Sequence, residues 1–255
     1  MIRNLFQSRT SAVRKEPARL PNGVRVYAVG DIHGCLDQLQ RLESLIDQHA
    51  AAHPVSETHI VYLGDYVDRG PKSAEVIEYL NGVRWAGVTR QFLKGNHEAM
   101  LENFLADARS GVAWRQLGGL ETMISYRVDV SQSIASGKVD DLHAAFLKVI
   151  PSKHLVFFDK LALSWSFGDY FFCHAGVKPG VPLEKQSPDD LLWIRDEFLA
   201  SSEDFGKVVV HGHTPVAAVA QHPNRINVDT GAYATGVLSC LILEGDRRSI
   251  MTSQR

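Results

Sequence analysis

Five short runs of β-forming residues in this chain each lead into a loop that combines glycine with aspartate, asparagine or histidine. Val24 to Val29 (VRVYAV) leads into GDIHG, Thr58 to Leu63 (THIVYL) into GDYVDRG, and Val88 to Leu93 (VTRQFL) into GNHE. Tyr170 to Cys173 (YFFC) leads into HAG and Lys207 to Val210 (KVVV) into HGHTP. β-Branched and aromatic runs of this length predict buried strands. Between the first two, Leu36, Leu39, Leu42, Leu45 and Ile46 recur at helical spacing, and Lys72 to Leu80 repeats the pattern after the second. The alternation predicts a layered α/β fold. Loops at the carboxyl ends of parallel strands gather at one sheet edge, so the polar endings are expected to meet there.

With 255 residues, 45% of them hydrophobic and 22% charged, the chain can bury one large core and is read as a single domain. Lys and Arg number 27 against 29 Asp and Glu, so there is no basic excess, and no nucleic-acid partner is expected. No apolar run is long enough for a membrane span and the N-terminus lacks the core of a secretory signal, which predicts a cytoplasmic protein. Arg3, Arg9, Arg14, Lys15 and Arg19 face only Glu16 near the start, so residues 1–22 are expected to form a flexible basic tail before a catalytic domain over 23–255. Cys35, Cys173 and Cys240 are odd in number and far apart, as expected of reduced thiols.

Convergence of the loops would assemble Asp, His, Asp, Asn, His and His around one site. Nitrogen and oxygen donors without paired thiolates suit manganese, iron or zinc in a catalytic role better than a cysteine-rich structural zinc. So many donors exceed what one catalytic ion takes while keeping positions open for water. Two divalent ions are therefore expected, the arrangement that activates water and clamps a phosphoryl group.

The series GDIHG, GDYVDRG, GNHE, HAG and GHTP, in this order and spacing, resembles the phosphoprotein phosphatase family of calcineurin-like dinuclear metallophosphoesterases, in its compact bacterial and phage form. The likeness runs from Val24 to Leu243. It implies a four-layer αββα sandwich with the site at one end. It assigns Asp31 and His33 to a first metal, Asp65 to a bridge, and Asn96, His174 and His213 to a second metal. His213 is preferred to His211, which is read as a supporting or packing residue. Asp68 would orient His97 to protonate the leaving oxygen, and Arg69, Asn96 and Arg195 (in LLWIRDEF) would grip the phosphate.

The reaction implied is hydrolysis of phosphomonoesters, on phosphoserine, phosphothreonine or phosphotyrosine of a protein or on a small phosphoester, by direct attack of a metal-bridging hydroxide with manganese as the expected ion. The alternative is a dinucleoside polyphosphate hydrolase. The shared ending VDTG keeps it open, whereas Asp68 and Glu98, where the symmetrical members carry a non-acidic residue and an Asp, favour the protein-phosphatase side. A third possibility, a non-catalytic binding protein on this fold, predicts lost ligands, and all are present.

Other residues take quieter readings. Glu98 is expected to start a helix, where a carboxylate is favourable. Trp114, Tyr126, Phe146, Phe157 and Phe158 are read as core, within a segment over 99–165 that would overhang the site and choose the substrate. Cys35 and Cys173 are read as packing residues, with redox sensitivity as the sharper alternative. Asp229 and Tyr233 are read first as turn and sheet residues, and second as the rim of the site.

Overall fold

The computed structural model describes residues 17–82, 85–131 and 138–254. Its strands are β1 (Val24–Val29), β2 (Glu57–Tyr62), β3 (Val88–Phe92), β4 (Ser164–Phe167), β5 (Tyr170–Cys173), β6 (Val208–His211), β7 (Ala220–Gln221), β8 (Arg225–Asn227), β9 (Ser239–Glu244) and β10 (Arg247–Thr252). They form two sheets, in the orders β10-β9-β1-β2-β3 and β4-β5-β6-β8-β7. β1, β2 and β3 run parallel, as do β5, β6 and β8, while β4, β7, β9 and β10 pair antiparallel at the flanks. The expected strands appear within a residue of their sequence bounds.

Alternation along the strands builds the layers. Val26 and Ala28 of β1, Val61 of β2 and Leu241 and Leu243 of β9 face Tyr170, Phe172, Val208, Val210 and Ile226 of the other sheet. The opposite faces of the first sheet, Tyr27, Val29, Ile60, Tyr62, Cys240 and Ile242, pack under helices. Those helices are α1 (Leu36–Ala52), α2 (Ser73–Gly82) and α3 (Asn96–Ala106), followed by α4 (Gly111–Trp114), α5 (Gly119–Ser125), α6 (Val139–Val149) and α7 (Ser152–Asp159). α1 inserts Leu39, Leu42 and Ile46 from one stripe, at the spacing that puts them on a single face. On the outer face of the second sheet, Phe171, Cys173 and Val209 meet Leu191 of α8 (Pro188–Trp193) and Phe198 of α9 (Asp196–Leu199). The order of layers is helix, sheet, sheet, helix, as the sequence resemblance implies. Each apolar side chain fully buried this way contributes about 1.5–3 kcal/mol, so the core needs no disulfide.

Two details differ from the sequence reading. β3 is an edge strand, with Thr89 exposed and its other residues half-buried, not a buried strand, because among the described residues no further strand pairs with its free side. Ala18 and Leu20, inside the stretch read as a tail, are buried against the inter-sheet core, with Leu20 N–H donating to Gly245 O. Residues 1–16, where most of the basic tail lies, fall outside the described residues. No described helix is long and apolar enough to cross a membrane.

Candidate active site

The ends of β1, β2 and β3 in one sheet and of β5, β6 and β8 in the other open onto one edge, tied across the sandwich by His174 Nδ1–Leu63 O at 3.0 Å and His213 N–Asp31 Oδ2 at 3.0 Å. Backbone strain concentrates there. His33, Asp65, Asp68, Arg69 and His213 all hold left-handed φ values, from 45 to 71°, which side chains other than glycine adopt only when the surroundings enforce it. Gly212 is required between them: a Cβ at that position would lie 2.0 Å from Asp31 Oδ1.

Four of the expected ligands fall in two buried groups that share Asp65: His33 and Asp65 together with His97, which is expected as the proton donor and not as a ligand, and Asp65 together with His174 and His213. His33 donates from Nδ1 to Val67 O at 2.8 Å, which turns the bare Nε2 toward Asp65 Oδ2 at 3.3 Å. His174 likewise uses Nδ1 on Leu63 O, so its Nε2 is an acceptor. That Nε2 meets Asn96 Oδ1 at 2.8 Å, Asp65 Oδ1 at 3.4 Å and His213 Nδ1 at 3.2 Å. Lone pairs converging in a buried space are satisfied by a cation. Asp31 adds to this: Oδ2 accepts from His213 N–H, while buried Oδ1 has no hydrogen-bond partner among the described residues.

Charge supports the same reading. Burial, then the charges of Asp229 and Asp65, push the Asp31 carboxyl up. Burial opposes ionisation of Asp65 too, yet His174, His97 and His33 hold it well below the usual carboxylate range. Burial lowers His174 and takes His213 down to about 2, leaving neutral imidazoles able to ligate. Clustered carboxylates beside neutral imidazoles fit divalent cations, and the residues present fit the metal pair implied by the sequence.

Next to the donors stands the pair of His97 and Asp68. His97 Nδ1 lies 2.7 Å from Asp68 Oδ2, and its Nε2 lies 3.2 Å from Arg69 Nη2. Burial lowers the imidazole pKa, but Asp65 and Asp68 outweigh it and the net shift is upward. Sequence reading missed what holds Asp68. Trp114 Nε1 donates to the same Oδ2 at 2.7 Å, Thr122 Oγ1 donates to Oδ1 at 2.6 Å, and Asp68 N–H donates to Ser73 Oγ at 3.0 Å. Trp114, read as plain core, is buried but also carries this polar function. The segment over 99–165 therefore contributes to the acid pair itself. Gly118 allows the approach: its O accepts from Arg69 N–H, and a Cβ there would lie 2.5 Å from that nitrogen.

Glu98 begins α3 as expected, but its larger part is elsewhere. Oε2 accepts from Asp65 N–H and Gly95 N–H, both at 2.9 Å, and Oε1 accepts from Tyr66 N–H at 2.7 Å and Val67 N–H at 3.2 Å. One buried carboxylate thus holds the strained turn that presents Asp65. Arg195 lies between α8 and α9, where its Nε donates to His213 Nε2 at 3.0 Å. His211 is buried, with Nδ1 on Gly212 O and its ring edge-on to Phe198, a packing position as expected. Burial pushes the Cys35 thiol up to about 11 and Cys173 higher still, which favours the packing reading over redox sensitivity. Asp229 follows β8 into the same edge and accepts from Gly231 N–H at 2.8 Å. Tyr233 is a rim residue, on the short helix α10 (Ala232–Thr235) and not in the sheet, with the Arg69 guanidinium 4.7 Å over its ring.

Comparison with known proteins agrees with the fold. The bis(5'-nucleosyl)-tetraphosphatase PrpE [asymmetrical] of Bacillus subtilis (strain 168) is 29% identical over 223 residues, covering 80% of this chain and 84% of that protein. The Bacillus cereus (strain AH820) protein of the same description is 24% identical over 231 residues, covering 84% and 88%. Among solved structures, one provisionally described as a diadenosine tetraphosphatase superposes with a TM-score of 0.62 at 23% identity, covering 92% of this chain and 98% of the other. The cold-active protein-tyrosine phosphatase of a Shewanella species follows with a TM-score of 0.55 at 18% identity, covering 92% and 83%. Residues 24–238 match the calcineurin-like phosphoesterase family, and with the donor groups at the shared sheet edge the chain belongs to that family.

Proposed function

We propose that this chain hydrolyses phosphoanhydrides of nucleotides, of the dinucleoside polyphosphate class. The observation that carries the nucleotide reading is the 29% identity, over 80% of the chain, to a protein described as an asymmetrical bis(5'-nucleosyl)-tetraphosphatase. It displaces the protein-phosphatase expectation as the preferred reading. Departure from the symmetrical pattern at Asp68 and Glu98 is consistent with an asymmetrical relative.

In this reading Asp31, His33 and Asp65 would hold one divalent cation and Asp65, Asn96, His174 and His213 would hold the other, with manganese, iron and zinc suited to the donors. Such a pair, when bound, supplies an activated water and neutralises charge on the phosphoryl oxygens. Arg69 and Asn96 orient those oxygens. Were the Nδ1 lone pair of His213 given to a cation, its ring proton would sit on Nε2, which would then no longer accept from Arg195, and the guanidinium would be free to reach the phosphate. His97, fixed by Asp68 at Nδ1, turns Nε2 toward the leaving oxygen and hands it a proton.

That last geometry favours a second reading, hydrolysis of phosphomonoesters. An alkoxide leaves poorly without a proton, whereas a nucleoside polyphosphate leaves readily, and the acid pair is well built. Turnover by manganese-loaded protein on diadenosine tetraphosphate and on phosphoserine, phosphothreonine and phosphotyrosine peptides separates the two. Faster release of unequal nucleotide products is expected; faster peptide dephosphorylation would transfer the assignment to the phosphomonoesterase.

A further inference from the structure

Resting on the nucleotide reading, we infer that Tyr233 and Trp193 are the stacking platforms for the two planar bases of the substrate, one at each end of the metal-ligand row. The row is continuous: His33 Nε2 to Asp65 Oδ2 at 3.3 Å, Asp65 Oδ1 to His174 Nε2 at 3.4 Å, and His174 Nε2 to His213 Nδ1 at 3.2 Å. Tyr233 closes the His33 end, edge-on to that imidazole with centroids 5.3 Å apart. Trp193 closes the His213 end, edge-on at 6.4 Å.

Both rings are 41% exposed, so neither fills the interior. Each belongs to a candidate phosphate-gripping arginine. Arg69 lies over the Tyr233 ring at 4.7 Å, and Arg195 follows Trp193 by two residues and contacts the imidazole that Trp193 borders. A groove of about 220 Å³, bordered by Leu36, Asp37, Pro71, Lys72 and Gly236, opens beside Tyr233 and is suited in size to one ring system. A molecule with a phosphate chain over the ligand row and a flat ring at either end matches this order of arginine, donor row, arginine and flanking aromatics. Exposed aromatic side chains bind bases by stacking without reading their identity, so this arrangement tolerates different bases.

The test compares substrates with and without rings on Tyr233→Ala, Trp193→Ala, Tyr233→Phe and Trp193→Phe. Each alanine variant is expected to raise KM for diadenosine tetraphosphate roughly tenfold, the scale of one base–aromatic stack, and to leave KM for inorganic tripolyphosphate within about twofold. The phenylalanine variants keep KM for the dinucleotide within about threefold, since the ring face is retained. Equal KM increases for both substrates in the alanine variants would show that the rings only support Arg69 and His213, and would overturn the platforms while leaving the nucleotide reading in place. A wild-type protein that dephosphorylates peptides yet turns over no diadenosine tetraphosphate would overturn both.

Discussion

The indole N–H of Trp114 donates to Asp68 Oδ2 at 2.7 Å, the same oxygen that lies 2.7 Å from His97 Nδ1. A tryptophan in the helical segment is thereby joined to the acid pair. Trp114→Phe keeps most of the buried volume and removes the donor. Loss of activity is expected to be about tenfold on phenyl phosphate, whose leaving oxygen needs a proton, and smaller on p-nitrophenyl phosphate, whose leaving group does not. Equal losses on the two would place the effect in binding or folding.

His97→Asn removes the proton donor itself. A fall of about 10²–10⁴ in kcat on phenyl phosphate is expected, with metal content unchanged, and steady-state kinetics beside elemental analysis checks it. Unchanged kcat would remove His97 from the chemistry.

Asp31 contributes a buried carboxylate oxygen without a partner among the described residues. Asp31→Asn should lower bound manganese from about two ions per chain to about one, and the thermal gain on adding manganese should shrink, because ligand binding to the folded state is what raises its melting temperature. Elemental analysis after desalting gives the count, and a full complement in the variant would refute the assignment.

Glu98 receives N–H groups from Asp65, Tyr66, Val67 and Gly95. Glu98→Gln puts an amide NH2 where donors point inward, leaving buried N–H groups unsatisfied. Stability is expected to fall by about 2–4 kcal/mol, seen as a lower denaturation midpoint in urea, with metal binding weakened because Asp65 rides on that turn. An unchanged midpoint would show that the turn holds itself.

Glu43 lies on the buried face of α1, accepting from the hydroxyls of Tyr62 and Tyr79, and burial raises its pKa despite those donors. The folded state thus binds this proton more tightly than the unfolded one. Its contribution to stability is present at acid pH and declines as pH rises from the ordinary glutamate range through the raised value. Glu43→Gln should remove that decline and leave the protein at least as stable at pH 8, measured by denaturant titration across pH; a steeper decline would contradict the sign.

Strand runs, the α1 stripe and the glycine-flanked endings are legible in the sequence because each depends on residues a few positions apart. The same spacing marks Asp31, His33, Asp65, Asn96, His174 and His213, whose convergence follows once parallel strands share an edge. The holding of Asp68 is not legible. Trp114 and Thr122 stand 46 and 54 residues from it, and a buried tryptophan reads the same whether or not its N–H has a partner. Nor does the sequence distinguish a helix-starting glutamate from one that accepts from a neighbouring loop, or a turn tyrosine from one lying against Arg69. Local periodicity and turn chemistry determined the layers and the ligand types. Only the packing of the helical segment and of α10 against the sheet edge decided which polar atoms meet, because those pairings close over long stretches of chain and depend on distances that no local pattern encodes.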